Sequence, residues 1–148
     1  MPRVMLLIPS TTYRAPDFIE AAQHLDVEIV VGSDQGSPLQ DLTEGRSLVV
    51  NLMEPEIGAR QIEAFALLNP IDTIVAVDDA GALVAAAASE MLGIAHNSFD
   101  AVEATRNKHL LRRRLTQGEL LSPDYRVVPV DSDPATVAAE LAAQDGFP

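Results

Sequence analysis

Cysteine is absent from the chain. That excludes disulfides, thiolate catalysis and cysteine-based zinc sites, and it is the composition expected of a cytoplasmic protein. Basic residues are scarce: 10 Lys and Arg stand against 22 Asp and Glu, a net charge of −12. So acidic a chain is repelled by phosphate backbones and by anionic lipid, so neither nucleic acid nor a membrane surface is expected as a partner. Aromatics make up only 4% of residues. Long apolar runs are missing too. The N-terminal Val4–Ile8 run is five residues long and stops at Pro9, too short for a signal sequence or a membrane span. It reads as a buried strand.

What is present is a 148-residue chain that is 47% hydrophobic, a globular composition long enough for a real core. Ala, Val, Leu and Ile fill most apolar positions, which suits β-branched strands covered by Ala-rich helices. Continuous apolar runs at Val4–Ile8, Val27–Val31, Leu48–Leu52 and Thr73–Val77 predict strands buried on both faces. Between them lie helical patterns. One starts near Pro16 with Phe18, Ile19, Ala22 and Leu25 as its stripe. Another opens at Pro55, with Ile57, Ile62, Phe65 and Ala66 buried, and ends at Asn69-Pro70. A third, Gly81–Leu92, stops at Gly93, a residue suited to the position after a helix. Residues 33–46 read as a loop. The alternation predicts an α/β fold with a Rossmann-like parallel sheet and helices on both faces.

The pattern changes after Gly93. Ile94–Asn97 reads as a short strand or a loop. Asn97 or Ser98 can cap a helix over 99–106, and a second helix runs from Lys108 to Gln117 and stops at Gly118. Tyr125–Val130 predicts a strand. Asp133-Pro134 supplies a cap and a first-turn proline for a last helix to about Ala143. Gly146-Phe147-Pro148 looks like the approach to a further strand, so truncation is the expectation.

In open α/β sheets ligands bind beyond the carboxyl ends of the strands. Four segments meet that condition. Pro9–Ala15 holds Ser10, Thr11, Thr12, Tyr13 and Arg14 ahead of a helix N-terminus, which favours an anion. The others are Ser33-Asp34, Asn51–Glu54 and Asp78-Asp79. Each has a plainer reading: Ser and Thr before a helix are commonly caps, and Asp78-Asp79 can cap the helix that follows. Asp34 stands where dinucleotide folds carry a ribose-binding acid, but the first loop contains no glycine, which argues against a dinucleotide.

Charge is unevenly spread. Residues 1–105 carry 16 acidic and 4 basic side chains, whereas 106–114 carry five basic and no acidic ones. Lys108, in that run, is the only lysine. A solvated helix face and a phosphate-binding patch both fit. His24, His96 and His109 are scattered and form no metal-ligand pattern, so no metal site is expected. No Ser/His/Asp arrangement or nucleophile elbow appears, and no catalytic residue can be named.

The order of these features resembles the N-terminal region of ATP-grasp enzymes over essentially the whole chain. The segments that carry the likeness are Ile8–Phe18, Val30–Asp34, Ile74–Asp79, Ala86–Gly93, His96-Asn97, and Asn107-Lys108 followed by a helix, a glycine and Ser122-Pro123. The resemblance implies a pre-ATP-grasp domain over 1–96. Residues 97–148 would then be linker helices and the start of an ATP-grasp domain, truncated. It implies an ATP-dependent carboxylate–amine or carboxylate–thiol ligase working through an acylphosphate, with phosphoribosylglycinamide synthetase-like and amino-acid ligase branches both open. It implies ATP and Mg²⁺ for the complete enzyme, neither expected bound to this fragment, which alone would be inactive. Lys108 matches the family's first nucleotide-binding lysine; many relatives have Asp before it, where Asn107 stands here. By position Thr11, Thr12, Tyr13, Arg14, Asp78 and Asp79 are candidates for contact with the small carboxylate and amine substrates. A homodimer stays open, since relatives are often dimers.

The alternative is a free-standing flavodoxin-like module for binding a small ligand or for regulation. Strand one ends in Pro9-Ser10-Thr11 rather than an acidic pair, which argues against its response-regulator form.

Overall fold

A computed structural model describes residues 1–36 and 46–143. Their elements are β1 (Arg3–Leu7), α1 (Ala15–His24), β2 (Glu28–Ser33), β3 (Ser47–Val49), α2 (Pro55–Ala66), β4 (Thr73–Ala76), α3 (Asp79–Leu92), α4 (Phe99–Arg106), α5 (Lys108–Gln117) and α6 (Pro134–Ala142). The chain divides into two compact units, Met1–Arg106 and Asn107–Pro148.

In the first unit all strand pairings are parallel, in the order β3-β2-β1-β4. β1 therefore lies inside the sheet, and from Met5 onward, through Ile8, its residues are buried. Alternate residues leave opposite faces of a strand, and the core divides accordingly. Met5, Leu7 and Val30 join Val50, Ala59, Ile62, Val84 and Ala88 on the side of α2 and α3. Leu6, Ile8 and Val31 join Ala15, Val77 and Phe18 on the side of α1. Helices thus cover both faces, and the expected doubly wound α/β fold is present.

Several boundaries differ from the sequence reading. β3 is three residues rather than five, and β2 continues to Ser33. α3 starts at Asp79 rather than Gly81 because Asp78 caps it there. Gly93 ends it in the left-handed conformation, φ 66°, as a glycine in that position can. Leu25 and Ile57, expected to be buried, are exposed. α2 buries Ile62 as expected, together with Gly58 and Ala59, and Phe65 packs partly buried against the core. A Cβ on Gly58 would fall on the Asn51 carbonyl oxygen and within 2.8 Å of Val84 Cγ1. Only small residues allow α2 so close to α3. Ile94–Asn97 takes neither strand nor helix form, and α4 packs against α3 through the buried Ala104.

In the second unit the Tyr125–Val130 strand does not form. Its residues have the right β-propensity, but a strand needs a hydrogen-bonded neighbour, and among the described residues none pairs with it. α5 and α6 match their expected spans. Asp133 caps α6 as expected, accepting from the Thr136 N–H at 2.9 Å. Part of the 33–46 loop and the Gly146–Pro148 segment lie outside the described residues.

Candidate functional site at the strand ends

The strand order fixes where a ligand cleft can form. From β1 the chain steps to β2 and β3 on one side, then returns through α2 to place β4 on the other side of β1. The reversal between β1 and β4 is a topological switch point, where connecting segments diverge and leave a crevice beyond the carboxyl ends. Pro9–Arg14 leaves β1 there and Asp78-Asp79 leaves β4. Two of the candidate segments are therefore at neighbouring strand ends, about 5 Å apart by ordinary strand spacing.

The β1 segment is tightly specified. Pairing with β2 extends one residue past the strand through Ile8 N–H to Gly32 C=O at 2.8 Å, and a turn closes with Thr12 N–H to Pro9 C=O at 3.1 Å. The Ser10 N–H donates to Asp34 Oδ1 at 2.6 Å and its hydroxyl donates to Asp34 Oδ2 at 3.0 Å. These donors, the backbone N–H foremost, hold the Asp34 carboxyl below its ordinary value against a smaller opposing effect of burial. Thr12 Oγ1 accepts weakly from the Arg14 N–H at 3.4 Å. The capping explanation of this Ser/Thr cluster fails: the residue at the cap of α1 is Arg14, with no side-chain cap bond. Thr11 and Arg14 are exposed, Tyr13 is 85% exposed, and Thr12 is half-buried.

At β4 the two aspartates part company. Asp78 accepts from the Ala80 N–H at 2.9 Å and is the cap of α3. Its side chain is thereby used in structure. Asp79, in the first turn, is exposed. The start of α3 is pressed against β1, since a Cβ on Gly81 would lie 2.9 Å from Leu7 Cβ. In the Asn51–Glu54 segment after β3, the Asn51 N–H donates to Gln61 Oε1 of α2 at 2.8 Å, and the Asn51 side chain is used within the turn. Asn51 Oδ1 accepts from the N–H groups of Met53 and Glu54 at 2.9 and 3.0 Å, and its amide donates to Glu54 Oε1 at 3.1 Å.

Lys108 opens α5 in the second unit and is exposed. Asn107 caps that helix, accepting from the N–H groups of His109 and Leu110 at 3.0 and 3.2 Å. That cap needs an oxygen acceptor and not a charge, so a neutral Asn serves. Of the basic run, Arg112 donates to Ser122 Oγ at 3.1 Å, and the His109 ring lies 6.0 Å from that of Tyr125.

The role of Asp34 was missed by sequence reasoning, which weighed it only as a ribose ligand. Its partner is 24 positions away, and no local pattern connects them. Two cavities lie elsewhere. One of about 220 Å³ sits beside β4 and α3, near Ser89 and His96; one of about 320 Å³ lies in the second unit between residues 126–129 and α6. None of the candidate residues lines either. Among the described residues no group of three or more His, Asp and Glu is placed to hold a metal ion, and no helix is long and apolar enough to cross a membrane.

The family model for the ATP-grasp N-terminal domain matches residues 19–96, and the chain belongs to that family. A sequence search of curated proteins finds no match. Among solved structures the fold is similar to L-amino acid ligase from Bacillus licheniformis, with TM-score 0.69 and 17% identity over 99% of this chain and 43% of that one. It is similar to phosphoribosylglycinamide synthetase from Anaerococcus prevotii, with TM-score 0.66 and 11% identity over 96% of this chain and 34% of that one. Glycinamide-RNase-transformylase T from Mycobacterium tuberculosis gives TM-score 0.66 and 24% identity over 99% of this chain and 40% of that one. The chain thus spans less than half the length of each.

Proposed function

We propose that this member of the ATP-grasp N-terminal domain family is the substrate-side region of an ATP-dependent ligase that joins a small carboxylate to an amine or a thiol. The observation that carries the reading is the meeting of Pro9–Arg14 and Asp78-Asp79 at the switch point between β1 and β4. Arg14 would pair with a carboxylate, the Thr11 and Thr12 hydroxyls would orient it, and Asp79 would face a cationic amine. Tyr13 offers an exposed ring beside them. Asp78 contributes through its cap rather than by contact.

The similarity to an amino acid ligase and to phosphoribosylglycinamide synthetase supports the reaction class. ATP, when bound, supplies the phosphoryl group that activates the carboxylate. The residues present fit one side of such a nucleotide: Lys108 is an exposed cation at a helix start whose cap is a neutral Asn. Among the described residues no group of three or more His, Asp and Glu could hold Mg²⁺. With less than half the length of the similar ligases, residues 1–148 are proposed to be inactive alone. The division at residue 96 into a pre-ATP-grasp domain and the opening of the next domain belongs to the same reading, as do a cytoplasmic location, small-molecule substrates without nucleic acid or membrane partners, and an open question of homodimerisation.

The test is a titration of ¹⁵N-labelled chain with ATP and, separately, with an equimolar mixture of the twenty L-amino acids. Each amino acid carries both groups that a carboxylate–amine ligase joins. The reading expects amide shifts at 11–14 and 79 with amino acids and only weak ATP binding. ATP binding in the ~1 μM range with no shift at the strand ends would favour the free-standing nucleotide-binding module instead.

A further inference from the structure

Among the strand-end segments, one is tied by a side chain to a different strand's end. The Asn51 side chain binds within its own turn and that of Asp78 within its own helix start. Asp34, at the end of β2, reaches across to Ser10 beyond β1 and takes both its backbone N–H and its hydroxyl, one on each carboxylate oxygen.

We propose that Asp34 is the positioning residue of the candidate substrate loop, fixing through Ser10 the direction in which Thr11, Thr12, Tyr13 and Arg14 project. The proposal rests on the reading that this loop meets the substrate.

The loop has two firm ends. In front, Ile8 is still paired to Gly32; behind, α1 begins at Ala15. Between them the Pro9–Thr12 turn has one internal backbone bond of its own, and α1 lacks a side-chain cap that would fix the approach to the helix. A single contact from Asp34 would leave Ser10 free to rotate about it. Two contacts to two oxygens of one rigid carboxylate fix both position and orientation. Bonds to an ionised acceptor are about twice as strong as neutral ones, which matters because Asp34 and Ser10 are both exposed and water competes for them. The Ser33 hydroxyl adds a longer third contact at 3.4 Å. The register of Asp34 is set by the β1–β2 pairing, which places Leu7 opposite Gly32 and so carries Ser10 and Asp34 out of the sheet side by side.

A ligand that gains its affinity from several short side chains at once depends on their relative placement, and misplacement by about 1 Å weakens such a site severely. Asp34 would therefore affect binding without touching the ligand. A merely structural carboxylate would instead change the stability of the whole unit.

The experiment uses the 148-residue chain and four variants, Asp34→Ala, Asp34→Asn, Ser10→Ala and Ser10→Thr. Three quantities are read: amide exchange at Ser10 against that at Met5 and Val31, the thermal midpoint, and the amino-acid titration described above. Asp34→Ala is expected to raise exchange at Ser10 by about tenfold with Met5 and Val31 unchanged. It is also expected to weaken the amino-acid response at residues 11–14. Asp34→Asn and Ser10→Ala, each keeping part of the contact, should fall between, and Ser10→Thr should restore the parent behaviour. Unchanged exchange at Ser10 in Asp34→Ala overturns the tether. Faster exchange with an unweakened response at 11–14 overturns the positioning role. A parent chain that shows no response at 11–14 removes the substrate reading itself, and the positioning role with it.

Discussion

Arg3 grips Glu28 with two nitrogens, Nε 3.0 Å from Oε1 and Nη2 3.1 Å from Oε2, joining the starts of β1 and β2 at the end of the sheet opposite the candidate site. Arg46 adds a second cation 2.8 Å from Oε1. The Arg3 hydrogen bond is the foremost reason that the Glu28 carboxyl sits below its ordinary value of 4.5. A depressed carboxylate contributes stability that is present above its unfolded value and is lost as pH falls through its folded value. The parent chain should therefore resist urea better than Glu28→Gln at pH 7, and the gap should shrink at an acid pH below 4.5. An equal gap at both pH values would mean that the ion pair is not its source.

Gly58 should not tolerate a side chain. A helix interior normally gains up to about 1 kcal/mol when Gly becomes Ala. Here the added Cβ would fall on the Asn51 carbonyl oxygen and 2.8 Å from Val84 Cγ1. Overpacking of that kind costs about 1–3 kcal/mol, so Gly58→Ala is expected to lower the thermal midpoint. A raised midpoint would show that α2 can move away from α3 at little cost.

The two aspartates after β4 should separate in a paired measurement. Asp78→Ala removes a helix cap and should cost about 0.5–2 kcal/mol of stability, read by urea denaturation of the isolated chain. Asp79→Ala, at an exposed first-turn position, should change stability by only a few tenths of a kcal/mol. Under the proposed ligase function, Asp79→Ala in the complete enzyme should raise KM for the amine. Equal stability losses for the two would remove the distinction.

These cases also mark what the sequence could and could not say. β1 was legible because a buried central strand writes itself as five adjacent apolar residues. The end of α3 was legible because a left-handed residue after a helix favours glycine, and Gly93 stands there. The buried face of α2 was read in part: Ile62 is buried as expected, but spacing also pointed to the large Ile57, whereas close helix packing selected Gly58 and Ala59. Tyr125–Val130 carries strand-forming residues, but a strand is a property of two segments. The candidate site was half legible. The strand-end rule pointed to the loop as a candidate, yet it could not tell Asp78 from Asp79, nor find the bond between Ser10 and Asp34.

Under the proposed ligase function, Arg14 and Lys108 should divide the kinetics of the complete enzyme between its two kinds of substrate. Arg14 lies on the loop after β1, and its exposed guanidinium suits a carboxylate better than an ammonium would, because its donors match the two oxygens. Arg14→Lys keeps the charge and loses that match, so it should raise KM for the carboxylate by about tenfold with KM for ATP unchanged. Lys108 is a point charge at the start of α5 whose helix cap is made by Asn107. Lys108→Ala should leave the fold intact and raise KM for ATP. If Arg14→Lys disturbed ATP and Lys108→Ala disturbed the carboxylate, the assignment of the two segments would have to be exchanged. If neither variant changed either constant, the strand-end loop would not be a substrate site.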